Sequence, residues 1–218
     1  MQLKFWSYAM KQSKELQKVH EEACLKSSAA LAKLIGQQTI VDIVNPKAKK
    51  VKELAPTVGL DKLAMKTAMI VVSLPVRGKV EGEVLLMFSQ EDAFNLCDLL
   101  FKREPGTTKE ITELNKSALQ ELGNIICGTY FSSLANHVKI RIVEHMAQIT
   151  FGEPFETMLD RIIERLTPNQ DDVTALETEF NFSMPAFKGH LFKSYFLVIF
   201  QTAQLEMILN ALQEVPAI

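Results

Sequence analysis

Gly82-Glu-Val-Leu-Leu-Met-Phe-Ser-Gln90 and Ser194-Tyr-Phe-Leu-Val-Ile-Phe-Gln201 are the two stretches of sequence that decide the fold. Each is a short, mostly apolar run, which is typical of a buried strand. Each leads into a helical pattern, the first over about 90–101 and the second over about 203–212. Because the same strand-to-helix ending occurs twice, we predict an internal duplication of about a hundred residues.

Similar elements precede both endings. In the first half the pattern predicts a helix over about 11–35, a strand over 39–44 that ends at Asn45-Pro46, and a hairpin of strands over about 67–74 and 80–88. In the second half it predicts a long helix over about 108–137, a strand over 138–143, a helix over about 155–166, and strands over about 173–182 and 190–200. The order favours an α/β (α+β) fold with antiparallel strands covered by long helices.

A chain breaker, Lys102-Arg-Glu-Pro-Gly106, separates the two halves. We therefore predict one domain over residues 1–218, built from a first repeat of about 11–102 and a second repeat of about 107–214. The two repeats would be related by a pseudo-two-fold axis.

Composition excludes several classes of function. The net charge is −2 with 47% hydrophobic residues, so nothing suggests binding to nucleic acid or insertion into a membrane. The short basic run Lys47-Ala-Lys-Lys50 is interpreted as a solvated loop. Cys24, Cys97 and Cys127 form no C-x-x-C pair, and the four histidines have no second ligand at metal spacing, so no metal site is predicted. With no signal peptide at the N-terminus and reduced thiols, we expect a cytoplasmic protein.

The long helix of the second half carries most of the functional information. A capping box is predicted at Thr107 and Glu110. Its apolar face is predicted to consist of Ile111, Leu114, Leu122, Ile125 and Leu134. A second face, which we call the polar stripe, consists of small or polar residues three or four apart: Ser117, Glu121, Asn124, Gly128 and Ser132.

Gly123 and Gly128 lie inside this helix, although each costs about 1 kcal/mol relative to alanine. Either another element of the chain or a partner must approach the helix backbone closely. For Gly123 both readings stay open, whereas Gly128 favours a partner because it belongs to the polar stripe. Beside it, Glu121 and Asn124 stand one turn apart. A carboxamide both donates and accepts, so Asn124 could orient a water molecule for attack on phosphorus.

The run from Ser117 to Leu134 resembles the signature helix of the CheC family of chemotaxis phosphatases. In that motif a Ser or Asp precedes a Glu by four residues and an Asn follows it by three, which matches Ser117, Glu121 and Asn124. Gly123, Ile125 and Gly128 match the surrounding E-x-G-N-I-x-x-G pattern. The order of elements resembles the two-repeat members of the family over nearly the whole chain.

The resemblance implies a hydrolase that acts on the aspartyl phosphate of a CheY-type response regulator. Asn124 would orient the attacking water and Glu121 would anchor the helix on the regulator, through its active-site lysine. Ser117 and Gly128 would contact the partner. The magnesium ion would belong to the regulator, so the chain needs no cofactor of its own. A deamidase of the CheD type is a possible second partner.

Two departures from the family pattern matter. The family usually has a proline 23 residues beyond the Asn, where this chain has Ala147. In the first repeat, a shift of about a hundred residues brings Lys14, Lys18 and Glu21 to the positions of Ser117, Glu121 and Asn124, with His20 and Leu25 in place of the two glycines. That site is predicted to be inactive, or else to form a different partner surface. The alternative function is a non-catalytic CheC-like or flagellar-switch-like module that docks a response regulator or a CheD-type protein.

Overall fold

A computed structural model of the chain describes residues 2–35, 40–50, 69–167, 173–183 and 191–214, and the side chains of 16–35, 69–167, 173–176, 192 and 194–212. The described helices are α1 (Gln2–Ile35), α2 (Gln90–Leu100), α3 (Glu113–Val138), α4 (Phe155–Leu166) and α5 (Thr202–Glu214). The described strands are β1 (Ile40–Lys50), β2 (Ile70–Gly78), β3 (Gly82–Phe88), β4 (Ile142–Glu144), β5 (Gln148–Thr150), β6 (Val173–Ser183) and β7 (Leu191–Gln201).

The described strands form one antiparallel sheet in the order β1-β6-β7-β3-β2-β4, with β5 also paired to β2. This order is symmetric about its centre, because β7 and β3 adjoin there, β6 and β2 flank them, and β1 and β4 lie outermost. The predicted fold class, a mixed fold with a pseudo-two-fold antiparallel sheet under long helices, is confirmed. The division into repeats of 11–102 and 107–214 stays a prediction.

The two faces of the sheet are covered by different helices. Alternate residues of β2 (Ile70, Val72, Leu74 and Val76) contribute to the larger core, together with apolar residues of α1, α2, α3 and α5. A smaller core under α4 includes Met69 and Val71, which alternate with them. The period of two along each strand thus divides the apolar residues between both faces.

Helix α4 covers the smaller core with a clean amphipathic pattern. Its buried side chains recur at helical spacing: Phe155, Met158, Leu159, Ile162 and Leu166. Its Arg165 reaches Glu83 on β3, with 2.5 Å between Arg165 Nη2 and Glu83 Oε2. Glu83 is only 2% exposed, and burial raises the pKa of its carboxyl group although Arg165 opposes the shift.

Several predicted boundaries were wrong. Helix α1 begins at Gln2 rather than near residue 11. Strand β1 does not stop at Asn45-Pro46 but continues to Lys50 across a register shift between Val44 and Lys47, so 47–50 is strand rather than loop. Residues 39 and 67–68, where two predicted strands begin, lie outside the described residues.

The edge of the sheet beside α3 also differs from the prediction. The strand predicted over 138–143 is present only at its last two residues, as the start of β4, because Val138 still belongs to α3 and Lys139 ends that helix with a φ of 54°. Two short strands, β4 and β5, follow instead and pair with opposite ends of β2. In the part of the chain that the structure describes, no helix is both long and apolar enough to cross a membrane.

Candidate functional site

Helix α3 begins later than the sequence predicted, because the segment before it is held by a buried carboxylate. Asp98, at the end of α2, accepts hydrogen bonds from the backbone N–H of Thr107 and Thr108 and from the Thr108 hydroxyl, at 2.6–2.9 Å. The predicted capping box of Thr107 and Glu110 is therefore wrong. The observed box joins Thr112 and Asn115, whose side chains each satisfy the other's backbone N–H.

The face of α3 that packs against the core was only partly predicted. Leu122 and Leu134 are buried as expected, but Leu114 is 58% exposed and Ile111 precedes the helix. The predicted face omitted several buried residues that complete the apolar side: Leu119, Ile126, Cys127, Tyr130 and Phe131. These side chains fix the rotation of the helix about its axis, and so they decide which residues face outward.

The polar stripe lies on the outward side of α3. Ser117, Glu121 and Ser132 are exposed, whereas Asn124 and Gly128 are half-buried. The Ser117 hydroxyl donates to the carbonyl of Glu113 within the same helix. The structure therefore brings the predicted site residues together on one side of α3.

The two glycines of α3 have different surroundings. A Cβ atom on Gly123 would lie 2.5 Å from Val72 Cγ1, inside the core. One on Gly128 would lie 3.3 Å from the Glu144 carboxylate, at the surface. Gly123 is thus explained by close packing of the helix against β2, which answers the question that the sequence left open.

Asn124 is attached to the sheet edge by its side chain. Asn124 Oδ1 accepts a hydrogen bond of 3.0 Å from the backbone N–H of Ala147. One turn earlier in α3, Gln120 Nε2 donates to the carbonyl of Ala147 at 2.9 Å. The contribution of Gln120 could not be foreseen from the sequence, although residue 147 stood out there as a departure from the family pattern.

The segment that contains Ala147 is a bulge in the edge strand. Val76 pairs with Glu144 and Ser73 pairs with Gln148, so three residues, 145–147, lie opposite two, 74–75. Pro75 has no N–H to offer to the ladder, and its carbonyl accepts from the N–H of His145 at 2.8 Å. A bulge turns backbone groups away from the sheet, and here the N–H of Ala147 is directed to α3.

Exposed apolar side chains flank the polar stripe. Leu114 is 58% exposed, Met146 is 82% exposed and Phe151 is 47% exposed. Lys116 Nζ lies 4.9 Å from the centre of the Phe151 ring, within the range of a cation–π contact. The outward face therefore exposes large apolar side chains as well as polar ones.

No metal site was predicted, and within the described ranges no group of three or more His, Cys, Asp and Glu residues is arranged to hold a metal ion. All three cysteines are buried. Burial raises the pKa of the Cys97 thiol to about 11 and that of Cys127 still further. Neither is a nucleophile at neutral pH.

The positions of α1 that correspond to the polar stripe and the two glycines of α3 carry different side chains in different surroundings. Lys18 is exposed and Glu21 is half-buried, with its carboxylate accepting from Gln17 Nε2 at 3.1 Å. His20, at the position of Gly123, is buried and lies 2.7 Å from the Tyr130 hydroxyl. Leu25, at the position of Gly128, is 57% exposed. The side chain of Lys14 lies outside the described residues.

Sheet, helices and signature helix together define a class of protein, and comparison with known proteins agrees. Residues 114–142 match the model of the CheC-like family. These residues span most of α3 and reach the start of β4, so the match falls on the helix that carries the polar stripe. The resemblance to the CheC family is confirmed over these residues, and the mixed fold of long helices and antiparallel sheet agrees with it.

Solved structures of similar fold span nearly the whole chain. FliY of Thermotoga maritima is 17% identical with a TM-score of 0.67, over 94% of this chain and 96% of that one. FliM in a complex with SpeE from H. pylori is 9% identical with a TM-score of 0.65, over 93% and 95% of the two chains. FliM in a complex with FliG from H. pylori is 9% identical with a TM-score of 0.62, over 92% and 98%. At such identities the likeness establishes the fold.

Proposed function

We propose that the chain is a phosphatase of a CheY-type response regulator in chemotaxis or related two-component signalling. The observation that carries the proposal is the match of residues 114–142 to the CheC-like family, which includes Glu121 and Asn124. Both residues lie on the outward side of α3, with Glu121 exposed and Asn124 half-buried. A rigid helix can present such a pair to a partner's active site without reorganising.

Asn124 acts on the water in this mechanism. Its carboxamide orients a water molecule in line with the aspartyl phosphate. The water oxygen forms a bond to phosphorus while the bond from phosphorus to the aspartyl oxygen breaks, which yields inorganic phosphate and the free carboxylate. The magnesium ion that neutralises the phosphoryl oxygens belongs to the regulator. The chain needs no cofactor of its own.

Glu121 anchors the helix. As an exposed carboxylate one turn from Asn124, it can pair with a lysine at the regulator's active site. Ser117 and Gly128 lie on the same stripe and contact the partner, with Gly128 allowing a close approach of backbones. Three exposed apolar side chains are available for further contacts: Leu114, Met146 and Phe151. We propose a deamidase of the CheD type as an additional partner. We also propose that the protein acts in the cytoplasm.

The test is dephosphorylation of a cognate phosphorylated regulator. Asn124→Ala is expected to lower kcat on the order of 100-fold while binding persists, which is the size of loss found when one positioned hydrogen-bonding group is removed. Glu121→Ala should weaken binding and also lower the rate. If the wild-type protein does not accelerate the regulator's own decay, the chain is not a phosphatase.

Matched controls are available on exposed positions. Asn136→Ala removes the same side chain from the same helix, about 18 Å further along its axis. Glu164→Ala removes an exposed carboxylate from α4. Lys18→Ala tests the first repeat. All three should retain the wild-type rate, and a large loss with Lys18→Ala would contradict the inactive first site.

A docking module without turnover is the second candidate. FliM, which shares this fold, has been solved in complexes with FliG and with SpeE. Binding of the regulator that is unaffected by Asn124→Ala, without any acceleration by the wild type, would support the docking module.

A further inference from the structure

A single backbone hydrogen bond fixes the orientation of the Asn124 carboxamide. The Ala147 N–H can only donate, so the Asn124 atom that faces it at 3.0 Å must be the oxygen. Nδ2, with its two donor hydrogens, is then directed elsewhere. Among the described residues it has no hydrogen-bond partner. The orientation of the amide therefore follows from the chemistry of the donor.

The donor itself is held firmly. Ala147 is 5% exposed, and its carbonyl is bound by Gln120 Nε2. On either side, Glu144 and Gln148 pair with β2, and the N–H of His145 bonds to the Pro75 carbonyl. The peptide group between Met146 and Ala147 is thus part of a bulge that is anchored both to the sheet and to α3.

Fixing an amide in this way has a catalytic consequence. A half-exposed asparagine on a helix otherwise exchanges between rotamers, and ordering it during the reaction costs about 1 kcal/mol of side-chain entropy. Held by Ala147, Asn124 keeps one lone pair on Oδ1 and both hydrogens on Nδ2, which still suffices to accept from and donate to one water molecule. The group is ordered before the partner arrives.

We propose that the backbone N–H of Ala147 is a positioning group, which holds Asn124 in the orientation that it uses on the regulator-bound water. This inference rests on the proposed phosphatase function. It depends on residue 147 having an N–H, which the proline usual at this position in the CheC family lacks, so the bond is particular to this chain and is not part of the family motif. Ala147 itself touches neither water nor phosphate and acts only through Asn124.

The hydrogen bond can be tested without any activity measurement. Amide hydrogen exchange of the full-length protein, followed by NMR, should show the Ala147 N–H protected in the wild type. Asn124→Ala should speed its exchange about tenfold or more, because the acceptor is lost. Asn124→Asp should retain the protection, because a carboxylate still accepts. Exchange at Ala147 that is the same in the wild type and Asn124→Ala would overturn the proposal.

Kinetics then test the catalytic meaning of the bond. Ala147→Pro removes the N–H and should lower kcat about five- to tenfold with KM changed less than twofold, the size expected from one lost orienting bond. Ala147→Ser keeps the N–H, and its kcat should lie much closer to the wild-type value.

Asn124→Asp should lose turnover although Ala147 stays protected, because the Nδ2 donors are gone. A kcat for Ala147→Pro at or above the wild-type value would overturn the proposal.

The outcomes separate this inference from the proposed function. No turnover by the wild type, with Ala147 protected by Asn124, would refute the phosphatase and with it the catalytic meaning of the bond. Turnover by the wild type, with Ala147 unprotected, would refute the positioning group alone. Thermal unfolding of Ala147→Pro checks that it folds. If it does not, the exchange measurements on the two Asn124 variants decide the question.

Discussion

Gly123 of α3 and Val72 of β2 approach each other so closely that the helix has no room for a side chain at that point. An added Cβ would lie 2.5 Å from Val72 Cγ1. Valine has one stiff rotatable bond and Val72 is fully buried, so it cannot move aside. Gly123→Ala is therefore expected to lower the free energy of unfolding by about 1–3 kcal/mol, although alanine favours helices.

Urea unfolding with a constant m-value measures this cost. The double variant Gly123→Ala with Val72→Ala should be less destabilised than the sum of the two single variants, because the shortened residue 72 makes the room that residue 123 needs. Strict additivity of the two effects would contradict the proposed contact.

Gly128→Ala is the matched substitution at the surface, and we expect the opposite sign. The nearest atom to an added Cβ is a Glu144 carboxylate oxygen at 3.3 Å, at the end of a flexible and exposed side chain. Glu144 can yield, so the helix gains about 0.5–1 kcal/mol of stability. If Gly128 contacts the regulator as proposed, the same variant should bind it more weakly. A gain in stability without a loss of binding would remove Gly128 from the interface.

His20 should make the protein less stable in mild acid. Burial lowers the pKa of His20 from 6.5 to about 4, so the unfolded chain binds a proton between these values and the folded chain does not. The stability contribution is present above pH 6.5 and is lost as the pH falls toward 4, at most about 3 kcal/mol. His20→Gln should flatten the dependence of unfolding free energy on pH in this window. An unchanged slope would assign the acid sensitivity to other groups.

Arg165→Ala should destabilise the protein more at high pH than at low pH. Glu83 is 2% exposed, and without Arg165 its carboxylate has lost its ion pair. Its pKa is already raised in the folded state, so ionisation opposes folding as the pH increases through that raised value. We expect a loss of about 1–3 kcal/mol at pH 8 and a smaller loss at pH 4.5.

A control for this prediction lies one turn away. Arg161 of the same helix pairs with Glu153, which precedes the helix, and the Arg161 side chain is 60% exposed. Arg161→Ala should cost no more than about 0.5 kcal/mol at either pH, since exposed ion pairs contribute little. Equal losses of unfolding free energy for the two arginine variants would show that burial of Glu83 does not determine how much its ion pair contributes to stability.

The sequence was sufficient to predict secondary structure wherever a local pattern of apolar residues determines it. The apolar run of β3 and the helical spacing of α4 predicted those elements closely, whereas β2 lies three to four residues beyond its predicted bounds of 67–74. The spacing of Ser117, Glu121 and Asn124 predicted that they share a face. It failed where a distant group decides. Thr107 fits the sequence pattern of a capping box as well as Thr112 does. The Thr107 N–H, however, donates a hydrogen bond to Asp98, and this bond keeps Thr107 outside the helix.

The candidate site shows the same limit. The sequence marked position 147 as unusual, but the bulge opposite Pro75 and the bond from Ala147 to Asn124 depend on the pairing of β2 with two short strands. Likewise, periodicity cannot distinguish Gly123 in the core from Gly128 at the surface, because the difference is the presence of Val72. The roles of Glu121 and Asn124 stay predictions until kinetics test them.

The order of strands has a consequence for how the chain is held together. Strand β1 pairs with β6, while β4 and β5 pair with β2, so each half of the chain completes the sheet edge of the other half. The segment between α2 and α3 is the covalent tether between these interlocked halves. A protein cut there would form two fragments, and each fragment would have unpaired strands at its sheet edges. The strands of one fragment would pair with those of the other. We expect such fragments to aggregate alone and to reassemble when they are produced together, as exchanged subunits of a dimer do.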